Sequence, residues 1–269
     1  MKLKKHIKHS NKKTIWRILL NGDGLVLIEE RDLEKREVFF QCYSLENKKQ
    51  ISKNIQLEEK FWAGVEAFKD DVILFHGFVK PDMPWHKGIF AYSVRTNKLL
   101  WKNDEIVFAF IEGDKIIVKE LGFEAIKYFS LDLLTGENLT LLEGDDESMK
   151  SRQTNAATSV DYSDYAFPNN YSGEGDTVIE NLLTELKLEK QEVTEYMFFG
   201  QQCAFTLQTV HAGGLYNQKI FVVDIPSKNI IFNETLNGNQ KTRLFDSYFA
   251  YKNFLIIICD KSEVIIYSY

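Results

Sequence analysis

Cysteine is scarce in this chain. Only Cys42, Cys203 and Cys259 occur, odd in number, far apart and each among apolar neighbours. No CxxC is present, so neither a zinc site nor a disulfide framework is expected. Buried free thiols in a reducing compartment fit the pattern. No apolar run approaches the roughly 18 residues of a membrane helix. The stretch Ile15 to Leu20 is too short for a signal sequence, Arg17 interrupts it, and no small-residue cleavage site follows. The expectation is a cytoplasmic chain without membrane insertion. GxSxG, HExxH and P-loop patterns are absent, so no catalytic, cofactor-binding or metal-ligating residue is assigned by motif and no cofactor is expected. Helical spacing of apolar residues is nearly absent as well, which excludes a helical fold.

What is there is acidic, apart from the beginning. The chain of 269 residues carries 33 bases and 39 acids. "MKLKKHIKHSNKK" holds six lysines and no acid, leaving 27 bases against 39 acids in the rest. So acidic a body repels a phosphate backbone, and nucleic acid is excluded as the expected partner. The partner class left open is a protein or a small molecule.

A figure of about 40 to 50 residues recurs. It begins with a short strand, a polar turn and an apolar strand, as in "LLNGDGLVLI" (19–28), "AFKDDVILF" (67–75), "AFIEGDKIIV" (109–118) and "FAYKNFLIII" (249–257), with "MFFGQQCAFTL" (197–207) a looser copy. The second half is an apolar strand ending in Ser or Asp, a four-residue polar turn and another strand. It is seen in "FFQCYSLENKKQI" (39–51), "IFAYSVRTNKLLW" (89–101), "YFSLDLLTGENL" (128–139) and "IFVVDIPSKNIIF" (220–232), with "VIIYSY" (264–269) the truncated last copy. The Ser/Asp positions are Ser44, Ser93, Asp132, Asp224 and Ser268. Four strands per period predicts an all-β, β-propeller-like fold with five recognisable blades, six being the alternative.

"GIFAYSVRTNKLLW" and "YFSLDLLTGENL" resemble the blade repeat of quinoprotein-type propellers. Thr96-Asn97-Lys98 and Thr135-Gly136-Glu137 stand at its turn, Trp101 supplies its terminal tryptophan, and Phe232 replaces that residue once. The resemblance covers about half of the chain and implies the architecture. It does not extend to quinone chemistry, because the vicinal cysteine pair of those enzymes has no counterpart here. The whole chain also resembles uncharacterised bacterial propeller-like domains of unknown function.

One domain spanning 1–269 is expected, with an irregular insertion at 143–190. The insertion is polar and Ser/Asn/Asp-rich as far as Asp176, which is placed to cap a helix within 176–190. "EGDDE" (143–147) lacks the spacing of a calcium loop and reads as a solvated acidic loop. The last blade has three strands of its own. The basic N-terminus is expected to complete it, residues 3 to 9 pairing with 264 to 269 and "TIWRILL" opening the first blade. Trp16 and Trp101, set among apolar strand residues, are expected to be buried.

Two groups of residues make a possible binding surface. His76 and His86 flank "GFVKPDMPW", and if the flanking strands pair they meet at the base of one loop with Asp82 and Trp85 nearby. Two histidines and an aspartate are metal-capable, but a spacing of ten matches no compact ligand motif, so loop packing by the Pro-Trp turn is the default. Tyr162, Tyr165, Phe167 and Tyr171 gather in the insertion, either to pin it to the fold or to form a binding lid. Two functions stay open: a non-catalytic interaction or ligand-binding propeller, and an enzyme whose polar site is assembled from separate loops. Carboxylates or histidines converging within hydrogen-bond reach at one end of the central channel would favour the enzyme, and an apolar or aromatic patch under the 143–176 insertion the binder.

Overall fold

The computed structural model describes residues 3–269 apart from 81–82, 122–125, 138, 174–175, 189–191 and 212. Its strands group into five antiparallel sheets with the meander of propeller blades, each an open sheet. Strand β1 (Lys4–Ser10) belongs to the last of them. The first sheet is β2 (Thr14–Leu20), β3 (Leu25–Asp32), β4 (Glu37–Ser44) and β5 (Lys49–Ile55), in that order. The second is β6 (Ala63–Lys69), β7 (Val72–Phe78), β8 (His86–Ser93) and β9 (Lys98–Asn103). The third is β10 (Val107–Glu112), β11 (Lys115–Leu121), β12 (Ile126–Asp132) and β13 (Thr140–Leu141). Helix α1 (Asp146–Thr158) and the short strands β14 (Tyr165–Ala166) and β15 (Asn169–Asn170) follow, then helix α2 (Thr177–Glu185). The fourth sheet is β15, β16 (Val193–Phe199), β17 (Gln202–Val210), β18 (Tyr216–Asp224) and β19 (Asn229–Gln240). The fifth runs β1, β22 (Glu263–Ser268), β21 (Phe254–Cys259), β20 (Tyr248–Tyr251) and β14. The chain divides into two compact units, one of residues 16–161 and one of residues 1–15 with 162–269.

The recurring Ser/Asp has a mechanical role. Ser44 Oγ accepts from the Asn47 amide at 3.2 Å, Ser93 Oγ from Thr96 at 3.2 Å, Asp132 Oδ1 from Thr135 at 3.0 Å and Asp224 Oδ2 from Ser227 at 3.1 Å. One residue further on, the backbone turns left-handed each time, at Lys48, Asn97, Gly136 and Lys228. A side chain that mimics a backbone acceptor, then one positive-φ residue, closes a hairpin whose strands keep their register. Asp32, bonded to the Lys35 amide at 3.0 Å and followed by left-handed Arg36, repeats the device between β3 and β4. At Gly136 the residue type is obligatory, since a Cβ there would lie 2.5 Å from the Trp101 ring. Trp101 is half-buried over that turn, and its Nε1 donates to the Leu133 carbonyl at 2.9 Å.

The apolar runs follow from burial on both faces of the inner strands. In β7, Ile73 and Phe75 join a core with Leu25, Leu27 and Phe40, while Val72 and Leu74 join another with Ile89, Ile116 and Val118. The other unit has one core built on Met197, Ile220, Leu255 and Ile265, and another in which Ile179, Leu182 and Leu183 of α2 meet Cys203 and Phe205. All three cysteines are free and buried, and burial pushes each thiol up to about 12. Among the described residues no helix is long and apolar enough to cross a membrane.

The basic N-terminus is part of the fold. β1 pairs antiparallel with β22 from Lys4 opposite Ser268 to Ser10 opposite Glu263. A register shift between Lys5 and Ile7 breaks the alternation and turns Ile7 and His9 inward. The lysines stay on the water side, where Lys8 meets Glu263 at 2.9 Å; charged side chains of this kind protect a sheet edge.

Three expectations need correction. Trp16 is 55 % exposed, because β2 is the edge of its sheet; its ring is covered instead by the Arg31 guanidinium, 4.6 Å away. The acidic run 143–147 opens a helix. Asp145 caps α1 by accepting from the Ser148 amide at 2.9 Å, and Asp146 and Glu147 sit in its first turn, where the helix dipole favours them. Only Met149 of α1 is buried, so there is no apolar stripe for periodicity to detect. The 143–190 segment therefore holds two helices, and its strands β14 and β15 join the fifth and the fourth sheet respectively. The helix expected within 176–190 is present as α2, capped by Asp176, although Val178 points to water.

Candidate functional site

The hairpin of β7 and β8 carries the densest chemistry. Phe78 faces His86 across it, and Val79 donates to the Trp85 carbonyl at 3.0 Å, so the two histidines do stand at the base of one loop. Asp82 lies outside the described residues. The carboxylate that meets the histidines is Glu66 of β6. His86 Nδ1 is 2.6 Å from Glu66 Oε1 and His76 Nδ1 is 3.1 Å from the same oxygen. The contact to His86 is a hydrogen bond. That to His76 is an ion-pair approach, and the buried His76 Nδ1 has no hydrogen-bond partner among the described residues. The imidazole rings stack 3.5 Å apart, 9° from parallel, with Phe78 edge-on to both at 5.0 and 5.5 Å.

Two backbone features make this arrangement. Val65 pairs with Phe75 and Ala67 with Leu74, so Glu66 is the extra residue of a β-bulge, a device that re-aims a side chain. Gly64 lies opposite His76, where a Cβ would come within 2.8 Å of the ring. Burial pushes the Glu66 carboxyl up, but the two histidines outweigh it and hold the group below the usual carboxylate range.

Trp85 is 62 % exposed and stands at a cleft of about 460 Å³ with Val79, Pro84, His86, Phe108 and Lys119. His86 thus belongs both to the buried cluster and to the wall of the cleft.

The aromatic residues of the insertion lie in the other unit. Tyr165 packs on Tyr251 at 4.7 Å and stacks with Phe167 at 5.7 Å; Phe167 reaches Phe249 at 5.9 Å and Tyr162 reaches Tyr165 at 5.8 Å. Tyr171 stands apart from them, edge-on to Tyr196 at 6.1 Å. Through β14 and β15 the segment is stitched to two sheets, and these rings pin it there. Tyr162 and Phe167 still leave more than half of their surface in water. Beside this strap a cleft of about 370 Å³ is lined by Asn170, Tyr171, Thr194, Arg243 and Asp246.

Fold and site together define a propeller-like all-β protein with a carboxylate–diimidazole cluster on one blade. A family model described as a domain of unknown function (DUF4905) matches residues 20–101, which run from the end of β2 to β9 and include Glu66, His76 and His86. No curated protein matches the sequence. Among solved structures, the chain is similar to the Dos1 propeller (10 % identity, TM-score 0.37, 99 % of this chain and 95 % of that one). It is similar also to a europium-containing methanol dehydrogenase (10 %, 0.29, 97 % and 52 %) and to the β-propeller domain of the Trilobed protease from Pyrococcus furiosus (9 %, 0.29, 93 % and 64 %). At these scores the likenesses carry nothing about activity.

Glu66 escaped sequence reasoning. The two-residue turn of "FKDDVI" invites a simple hairpin count, which sets Glu66 across from Phe75 and makes it an ordinary strand residue. Only the bulge brings it to the histidines, and no residue type in "GVEAF" announces one.

Proposed function

We propose that residues 1–269 act as a non-catalytic ligand-binding module whose ligand docks in the cleft beside Trp85. The observation that carries this is the exposed indole itself. A tryptophan left mostly in water beside Val79, itself 50 % exposed, gives a concave apolar wall of the kind that holds small molecules. Lys119 supplies a cation at the same cleft, so the ligand class is an aromatic anion. A cytoplasmic location belongs to this reading and is supported by the three buried free thiols. The test is calorimetric titration with 2-naphthoate as probe. The full chain binds it, and Trp85→Ala and Lys119→Ala each weaken binding by ~10-fold or more. Equal binding by Trp85→Ala, or none by the wild type up to about 1 mM, would sink the reading.

The catalytic alternative has one observation behind it, the convergence of Glu66, His76 and His86. Hydrolysis of an aryl ester or phosphoester by the wild type, lost in a folded His86→Gln variant, would decide for it.

A further inference from the structure

The cluster behind the cleft has a chemistry of its own. We infer that Glu66, His76 and His86 form a binding site for one divalent transition-metal ion of the zinc class. The inference stands on these three side chains and does not depend on whether the Trp85 cleft takes a ligand.

The donor set is two imidazole nitrogens and one carboxylate oxygen, which suits borderline first-row ions, whereas calcium and magnesium favour oxygen alone. The three donor atoms lie within 4.8 Å of one another, and the two nitrogen–oxygen separations are 2.6 and 3.1 Å. Donors around a tetrahedral ion with bonds of about 2.0–2.2 Å stand roughly 3.3–3.6 Å apart, so binding asks for a small expansion.

The electrostatic accounting points the same way. Glu66 Oε1 is engaged by His86, and the buried His76 Nδ1, 3.1 Å from the same oxygen, has no hydrogen-bond partner among the described residues. A buried polar atom in that state costs free energy that an ion would recover. The surroundings are also built for this ring. Gly64 clears the space it occupies, Phe78 walls both imidazoles, and the bulge at Glu66 aims the carboxylate.

Entry is from the His86 side. The His86 side chain is 36 % exposed and that of His76 is 5 %. Stacked rings direct their in-plane lone pairs side by side, so His86 has to turn about its χ2 to meet an ion held by Glu66 and His76. His86 ligates as a neutral imidazole through an unprotonated Nδ1, its hydrogen then residing on Nε2. Three protein donors leave one coordination position for water or a bound anion.

The test uses the full chain stripped with a chelator and titrated with Zn²⁺ by calorimetry. One equivalent binds to the wild type. His86→Gln and Glu66→Gln, each shown to be folded by circular dichroism, lose affinity by at least ~10-fold. A His6→Gln/His9→Gln double variant binds as the wild type does, and excess Mg²⁺ does not displace the zinc. Should Glu66→Gln fail to fold, the more exposed His86→Gln decides alone. No binding below about 100 μM, undiminished binding in folded His86→Gln, loss of binding in the His6/His9 variant, or displacement by Mg²⁺ would each overturn the inference.

Discussion

Glu66 and Glu195 are both drawn out of water, and their surroundings pull their proton affinities in opposite directions. Burial pushes each of them up. At Glu66, His76 and His86 more than offset burial and keep the carboxylate ionised. At Glu195 the neighbours are weaker. Its Oε1 accepts from the Asp246 amide at 2.8 Å and its Oε2 sits 3.4 Å from the Thr206 hydroxyl, while the Asp246 charge adds to the upward push. The net result there is a raised value. Burial therefore does not by itself decide a carboxylate's charge; the decision falls to whether a group that can carry positive charge is within reach.

The two sites differ in purpose accordingly. Glu195 sits beside a polar web inside its unit. In that web Gln208 Nε2 donates to Thr194 Oγ1 at 3.1 Å, Leu244 donates its amide to Gln208 Oε1 at 3.1 Å, and Gln218 Nε2 donates to the Leu244 carbonyl at 3.0 Å. Two of these contacts tie the segment before β20 to the sheet and the third joins β17 to β16, which is a structural task. The Glu66 cluster ties down nothing of that length and touches the wall of an open cleft.

Removing a partner from the charged cluster should cost most. His76→Ala deletes a buried ring beside a mostly buried carboxylate and should destabilise by on the order of 3 kcal/mol in chemical denaturation. A loss below about 1 kcal/mol would break the contrast by showing that Glu66 does not need it. Deleting residues 1–10 strips β1 from β22 and removes the buried Ile7 and His9; the melting temperature should fall by several degrees. An unchanged melting temperature would show that Glu195's unit does not draw on that strand.

Gly64→Ala puts a methyl group against the His76 ring and should cost about 1–3 kcal/mol unless the ring moves. His76 imidazole NMR shifts unaltered by the substitution would refute that packing. Glu195→Gln mimics the protonated acid. A carboxyl raised in the folded state contributes stability that is complete below its unfolded value of 4.5 and is lost as pH rises through the folded value. The variant should therefore gain on the wild type as pH rises from about 4 to 8. Glu66, lowered from 4.5, has the opposite sign, its contribution being lost as pH falls through the folded value. A stability difference for Glu195→Gln that is flat with pH would remove the distinction between the two carboxylates. The smallest effect is expected from Trp16→Ala, about 0.5–1 kcal/mol for a cation–π contact at an exposed edge; a core-sized loss in denaturation would restore Trp16 to the interior.

The sequence by itself determined the blades. Alternating strand and turn signals are local, and Ser44, Ser93, Asp132 and Asp224 act within three residues of themselves, so their phase could be read in a single chain. The pairing of the N-terminus with "VIIYSY" was legible too, because a missing strand at one end and a spare one at the other leave one partner for each. Helix α1 was not, since a helix with a single buried residue leaves no periodic trace. Trp16 misled because an edge strand has the composition of an inner one and differs only in what lies beside it. The meeting of Glu66 with His76 and His86 was decided by tertiary structure alone. It needs a bulge at Glu66, a glycine opposite His76 and a strand pairing that returns His86 to Phe78, and a relation set by three strands at once leaves no spacing in the sequence from which to infer it.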